Sequence, residues 1–186
     1  MDVFEAIQQR RSIKRFTDRA VTRDEVERLL SAAVAAPNHR LTQPWRFYVL
    51  GPDAREAYGR ALGERKARKL EDAEKGRAVR DSVAREHRAL PAMIAVAVVG
   101  NENPEIHGED VSAAMMAVQN MALAAVAMGL GTHIKTGAVM QDPAARAAAG
   151  VRDGEEIVAI VNVGGPAETP SAKERQSASQ LTEWRP

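Results

Sequence analysis

The chain has 186 residues and is 45% hydrophobic, enough to bury a real core, so disorder is not its default state. Its 26 Lys and Arg nearly cancel 25 Asp and Glu, and a net charge of +1 supplies no broad field for nucleic acid or a membrane surface, so any anion site has to be local. With no cysteine, disulfides, thiolate catalysis and cysteine metal sites are excluded. The opening MDVFEAIQQRRS has no secretory apolar run, the cytoplasm is the expected compartment, and residues 1–186 read as a single domain.

Val3 to Gln9 reads as a short helix with Val3, Phe4 and Ile7 on one face. It runs into RRSIKRF, where extended alternation puts Arg10, Ser12 and Lys14 on one side, with Arg11 beside them. Guanidinium groups and a hydroxyl suit a phosphate monoester, although the same cluster also reads as a solvated basic turn. Thr22 to Glu25 forms a capping box, and Val26, Leu29, Leu30, Ala33 and Val34 follow at helical spacing.

Pro37 ends that helix and opens a polar loop carrying Asn38, His39 and Gln43 before an aromatic strand, Arg46 to Leu50. Loops held between rigid elements are where binding groups sit. Pro52 to Leu90 is a charged, mainly helical stretch divided at Gly76, with expected pairs Glu64–Arg68 and Glu71–Lys75, and no chemistry is assigned to it. Pro91 to Gly100 reads as a buried strand, and NENPEIHGED as a polar loop. His107, Glu109 and Asp110 have no second cluster to complete a metal shell, so no metal is expected.

The longest apolar stretch runs from Glu109 to Gly131, a helix of Ala, Met and Leu with acidic residues at its expected start and Gly129 at its stop. Gln119 and Asn120 near its middle argue against a membrane span. Apolar on every face, it needs cover on all sides, and its small residues suit a core helix that also lines a dimer interface. GLGTHIKTGAVM follows, with Lys135 and Thr136 as donors. It lacks the third glycine of a dinucleotide fingerprint and follows a helix, so a Rossmann site is not supported. Ile157 to Val163 is the third expected strand, and the polar tail carries Lys173 and Arg175.

RRSIKRF, APNHRLTQPWRFYVL, the helix ending GLGTHIKTG and the terminal VNVGGPAETP, in that order and spacing, resemble the short, minimal branch of the FMN-dependent nitroreductase family. The resemblance implies an α+β fold, a central, mainly antiparallel sheet flanked by helices, in an intertwined homodimer with FMN at the subunit interface. Arg10, Ser12 and Lys14 would hold the phosphate and ribityl chain, with Arg11 adjacent. His39 and Gln43 would reach the flavin of the other subunit, Ile134, Lys135 and Thr136 would cover the ring and its polar edge, and Lys173 or Arg175 would return to the phosphate. Two departures stand out: similar proteins often carry Trp-Arg-Ser in place of Ile134-Lys135-Thr136, and Arg in place of Lys14. Both lysines keep the charge but lose the fork geometry.

The implied function is a flavin oxidoreductase with no side-chain catalyst: NADH or NADPH reduces FMN, and a nitroaromatic, quinone or related small molecule is then reduced by a ping-pong mechanism. Alternatives are other flavin chemistry on the same scaffold (dehalogenation, flavin fragmentation, small-molecule dehydrogenation) or FMN storage or sensing. Neither nucleic acid nor a membrane is an expected partner.

Overall fold

The computed structural model describes residues 1–186 and is organised by a four-stranded, fully antiparallel sheet. In chain order the elements are α1 (Val3–Gln9), α2 (Arg23–Val34), β1 (Trp45–Val49), α3 (Pro52–Ala67), α4 (Ala73–Arg88), β2 (Ala92–Val99), α5 (Pro104–Ala127), β3 (Gly131–Lys135), α6 (Pro143–Ala149) and β4 (Glu155–Gly164). The strand order is β1-β2-β4-β3. β3 is therefore an edge strand, and it was not among the three strands expected. Its two flanking glycines and polar alternation hide it, because an edge strand needs no continuous apolar run.

Each face of the sheet has its own core. Ala92, Ile94 and Val96 of β2 face one way, against Leu29 and Ala33 of α2 and Ala113, Ala117, Val118 and Met121 of α5. Met93 and Ala95 face the other way, against Tyr58 and Ala61 of α3 and Ala145 and Ala149 of α6. In β4 that alternation skips a beat. Ile157 and Ile160 share one core while Val158 and Ala159 both turn to the other, because the β2–β4 register shifts between Val96 and Ala97.

The long helix α5 starts five residues earlier than Glu109, at Pro104. Asn103 caps it, its Oδ1 accepting from the Glu105 N–H at 2.9 Å, and Pro104 takes the first helical position where its missing N–H costs nothing. The polar NENPEIHGED is thus the cap and first turns of the helix. α5 is long and apolar enough to cross a membrane, but its stripe of Asp110, Ala113, Ala114, Ala117, Val118, Met121, Ala122 and Ala125 is buried within the chain. Met115 and Met116 remain exposed, so a single chain covers only part of its circumference.

The charged excursion divides at Arg68–Asp72 and not at Gly76, which lies within α4. Asp72 supplies the break, its Oδ1 accepting from the N–H groups of Glu74 and Lys75. Neither expected i,i+4 pair forms; Glu64 reaches across to Arg80 at 3.0 Å instead. α3 and α4 approach closely enough for this because Gly59 lies against His87 and Gly63 against the Arg80 backbone. A Cβ at Gly63 would meet the Arg80 Cα at 2.8 Å, and helix backbone cannot yield as a side-chain tip can. Gly63→Ala is expected to cost about 1–3 kcal/mol in chemical denaturation. An unchanged midpoint would show that the two helices are not in close contact.

Candidate functional site

The strip from Arg10 to Thr17 is held along the sheet edge on both sides. Ser12 forms a parallel bridge with Thr132 of β3, and the Ile13 N–H donates to the Thr132 carbonyl at 2.9 Å. Phe16 bridges Pro166, the Thr17 N–H donates to Gly165 O at 2.8 Å, and the Ala167 N–H donates to Arg15 O at 3.0 Å. Ile13 is buried over Gly131, where any Cβ would collide with its side chain. With Ile13 turned in, Ser12 and Lys14 are exposed on the other side, as the alternation predicted.

A cleft of about 740 Å³ gathers Arg10, Arg11, Ser12, Lys14 and Arg15 of this strip with Glu168, Lys173 and Arg175 of the tail. Six cationic side chains and one carboxylate line it. Near-neutrality of the whole chain thus conceals a local excess of positive charge. Arg11 is partly spent elsewhere, its Nη1 donating to the carbonyls of Gln8 at 2.5 Å and Arg10 at 2.9 Å. Arg15 pairs with Glu168 at 3.6 Å.

A second cleft, of about 560 Å³, shares Lys14 and adds Phe16, His87, His133, Lys135 and Asn162, with Asp18 and Glu86 as its acids. Lys14 therefore borders both. Alternation on β3 decides which neighbours of Lys135 join it: His133, two residues away, does, whereas Ile134 packs against the α2–α5 core across the sheet. Thr136 is exposed and lines neither cleft. His133, Asn162 and His87 were missed by sequence reading. Recognising β3 as a strand would have found His133; nothing local marks the other two.

One buried polar atom lining this cleft has no partner, Asn162 Oδ1. An unmade hydrogen bond on a buried acceptor costs about 1–3 kcal/mol, which a ligand N–H would relieve. Burial pushes the Lys135 ammonium below the usual lysine range, and Lys66 adds to the shift while Glu86 opposes it. Burial also lowers His133, helped by Lys135 and Lys14. His87 is lowered by burial first, against the opposing hydrogen bond to Val83 O, with Lys135 adding to the depression.

His39 and Gln43 line neither cleft. Their loop is strained: Arg40, Leu41 and Gln43 all have positive φ, at 63°, 50° and 45°. Such backbone costs about 1–3 kcal/mol per residue and persists only where the surroundings impose it. Here Asn38 Oδ1 accepts from the Gln43 N–H at 2.7 Å, and Thr42 Oγ1 donates to the buried Asp110 at 2.5 Å. Glu109 takes His39 at 3.0 Å and Arg40 at 3.3 Å. The acids read as helix-start charges are thus the loop's anchors, with the Glu109 carboxyl held below its usual range by His39 and then Arg40.

The comparisons with known proteins agree with this architecture. The model of the nitroreductase family matches residues 7–165, and the chain belongs to that family. It is 30% identical over 172 residues to YfhC of Bacillus subtilis, covering 91% of this chain and 87% of YfhC, and 31% identical over 167 residues to YdjA of Escherichia coli K12, covering 89% of each. Both relatives carry NAD(P)H nitroreductase names. Among solved structures, a nitroreductase-like protein from Bacillus cereus superposes with a TM-score of 0.85 at 28% identity, covering all of this chain and 96% of that one. A Desulfovibrio desulfuricans protein described as a nitroreductase, solved with FMN, gives 0.74 at 29% identity, covering 100% and 98%.

The two depressed histidines make stability depend on pH with a defined sign. Each binds its proton less readily folded than unfolded, so as pH falls from the ordinary histidine value toward the folded one the unfolded state gains protons and stability is lost. Denaturation midpoints are expected to drop below about pH 6.5, and His133→Gln should flatten part of that slope. A midpoint that rises on acidification across this window would contradict the assignment.

Proposed function

We propose that this member of the nitroreductase family is an NAD(P)H-dependent FMN oxidoreductase whose acceptor is a nitroaromatic, quinone or similar electron-poor molecule. The observation that carries the reading is the convergence of Arg10, Ser12 and Lys14 with Lys173 and Arg175 in one cleft. Forked guanidinium groups and a hydroxyl fit a phosphate monoester. The names of YfhC and YdjA support the nicotinamide donor, and the FMN bound to the D. desulfuricans relative supports the flavin.

On this reading Arg10, Ser12, Lys173 and Arg175 hold the phosphate and ribityl chain, and Lys14 stands between them and the ring. Lys135 would bring positive charge to a ring held in the second cleft, where Asn162 Oδ1 is an unpaired acceptor for a ligand N–H. FMN, when bound, supplies hydride chemistry that no side chain here provides. A half-buried ammonium stabilises developing negative charge more strongly than one in water. One cleft beside Lys135 takes nicotinamide and acceptor in turn, which is a ping-pong order.

The reading includes a homodimer. Val3, Phe4 and Ile7 of α1 are exposed, α1 packs on α5, and Met115 and Met116 of α5 are exposed too. Ile7 also lines the phosphate cleft, so a second copy on this face would border the flavin. His39 and Gln43, on their strained and anchored loop, would then reach the flavin of the second copy. Trp184, 93% exposed, and Leu181 in the tail offer further apolar surface for it.

The test is an absorption spectrum of the protein loaded with FMN, before and after anaerobic addition of NADH or NADPH. Bleaching of the flavin bands by at least one nucleotide is expected; bound flavin that neither nucleotide bleaches, or no uptake of FMN, would overturn the oxidoreductase. Phe4→Glu is expected to convert a dimer into a monomer by light scattering and to weaken FMN retention. A wild-type chain that is monomeric at micromolar concentration would contradict the dimer.

A further inference from the structure

The charged helices α3 and α4 gave no chemical signal in the sequence, yet α4 carries a side chain into the site. His87 is 5% exposed and lines the cleft of Lys135. Its Nδ1 lies 2.7 Å from the Val83 carbonyl, one turn earlier on α4. A carbonyl can only accept, so Nδ1 bears the proton, and a neutral ring then presents a bare Nε2. Lys135 Nζ stands 3.5 Å from that nitrogen. The lysine can only donate, so both ends of the imidazole are matched to its neutral form.

The ring is also fixed sterically. Gly59 of α3 leaves the space into which His87 fits, since a Cβ there would meet the His87 Cβ at 2.7 Å. Tyr58 flanks the ring, with centroids 6.2 Å apart. The other titratable groups around the pair are Glu86 on α4, Lys66 on α3, and Lys14, Asp18 and His133 toward the cleft. Lys135 therefore leaves an edge strand with one neutral acceptor in hydrogen-bond reach, while Lys66 repels it and Glu86 attracts it.

We infer that His87 is a positioning residue: as the Nδ1–H tautomer it holds the Lys135 ammonium through Nε2 and so aims that charge into the cleft. The role at the flavin rests on the proposed function, whereas the coupling of the two side chains does not. It makes the α3–α4 hairpin part of the site.

The coupling is read first in the protein without flavin, by long-range nitrogen–proton NMR of the histidine rings. The expected result is the Nδ1–H tautomer for His87, with an Nε2 resonance that moves in Lys135→Met and a His87 titration midpoint that rises when the neighbouring cation is removed. The opposite tautomer, or a His87 signal indifferent to Lys135→Met, would overturn the inference. FMN affinity is the second readout. His87→Phe is expected to weaken FMN binding about tenfold, a loss already contained in that of Lys135→Met, and His87→Gln, whose amide oxygen can accept, should recover part of it. Fully additive losses in the double variant would sink the positioning role. If the wild type binds no FMN, the flavin reading fails while the NMR result still decides the coupling.

Discussion

The site depends on one contact, the insertion of Ile13 over Gly131. The Ile13 N–H is tied to Thr132 O, and its side chain occupies the space a Cβ at position 131 would need. Because residues alternate along an extended segment, turning Ile13 inward obliges Ser12 and Lys14 to face outward. The same strip is held on its other side by Gly165 and Ala167, which also sets where the tail departs and brings Lys173 and Arg175 back to Arg10. The basic cleft is thus a by-product of packing an isoleucine.

The sheet edge carries a second consequence. β3 has β4 along one side, and at Thr132 only the bridge to Ser12 on the other, so His133 and Lys135 lie beside a partly open edge, in a cleft with His87. Loop and helix cooperate in a similar way at α5. Glu109 and Asp110 anchor a loop whose backbone is held at positive φ by Asn38 and Thr42, which leaves His39 and Leu41 exposed on a fixed support. Rigid placement of an exposed, strained loop is what a group reaching toward a second molecule requires.

Much of this was legible in the chain. The capping box at Thr22 and Glu25, the runs of β2 and β4, and the stop at Gly129 follow from local signals and stand in the structure. The side-by-side exposure of Ser12 and Lys14 followed from alternation alone. What was lost had non-local causes. The start of α5 was placed late because capping residues are polar and resemble a loop. β3 was lost because an edge strand that opens on a glycine and alternates polar residues has no apolar run. His87 and Asn162 join the site only through the α3–α4 packing and the β2–β4–β3 order, and no spacing in the sequence encodes either. The basic residues of the first cleft were legible one by one, but their assembly needed the return path of the tail.

The central claim is that the Arg10–Lys14 strip and the returning tail form a phosphate site, and the most direct measurement is the affinity of the protein for FMN against riboflavin, which differ only in the phosphate. FMN should bind at least about tenfold more tightly, a preference that falls with rising salt and largely disappears in the Arg10→Ala, Lys173→Ala double variant. Equal affinities for the two flavins in the wild type, or a phosphate preference that survives both substitutions, would contradict the account.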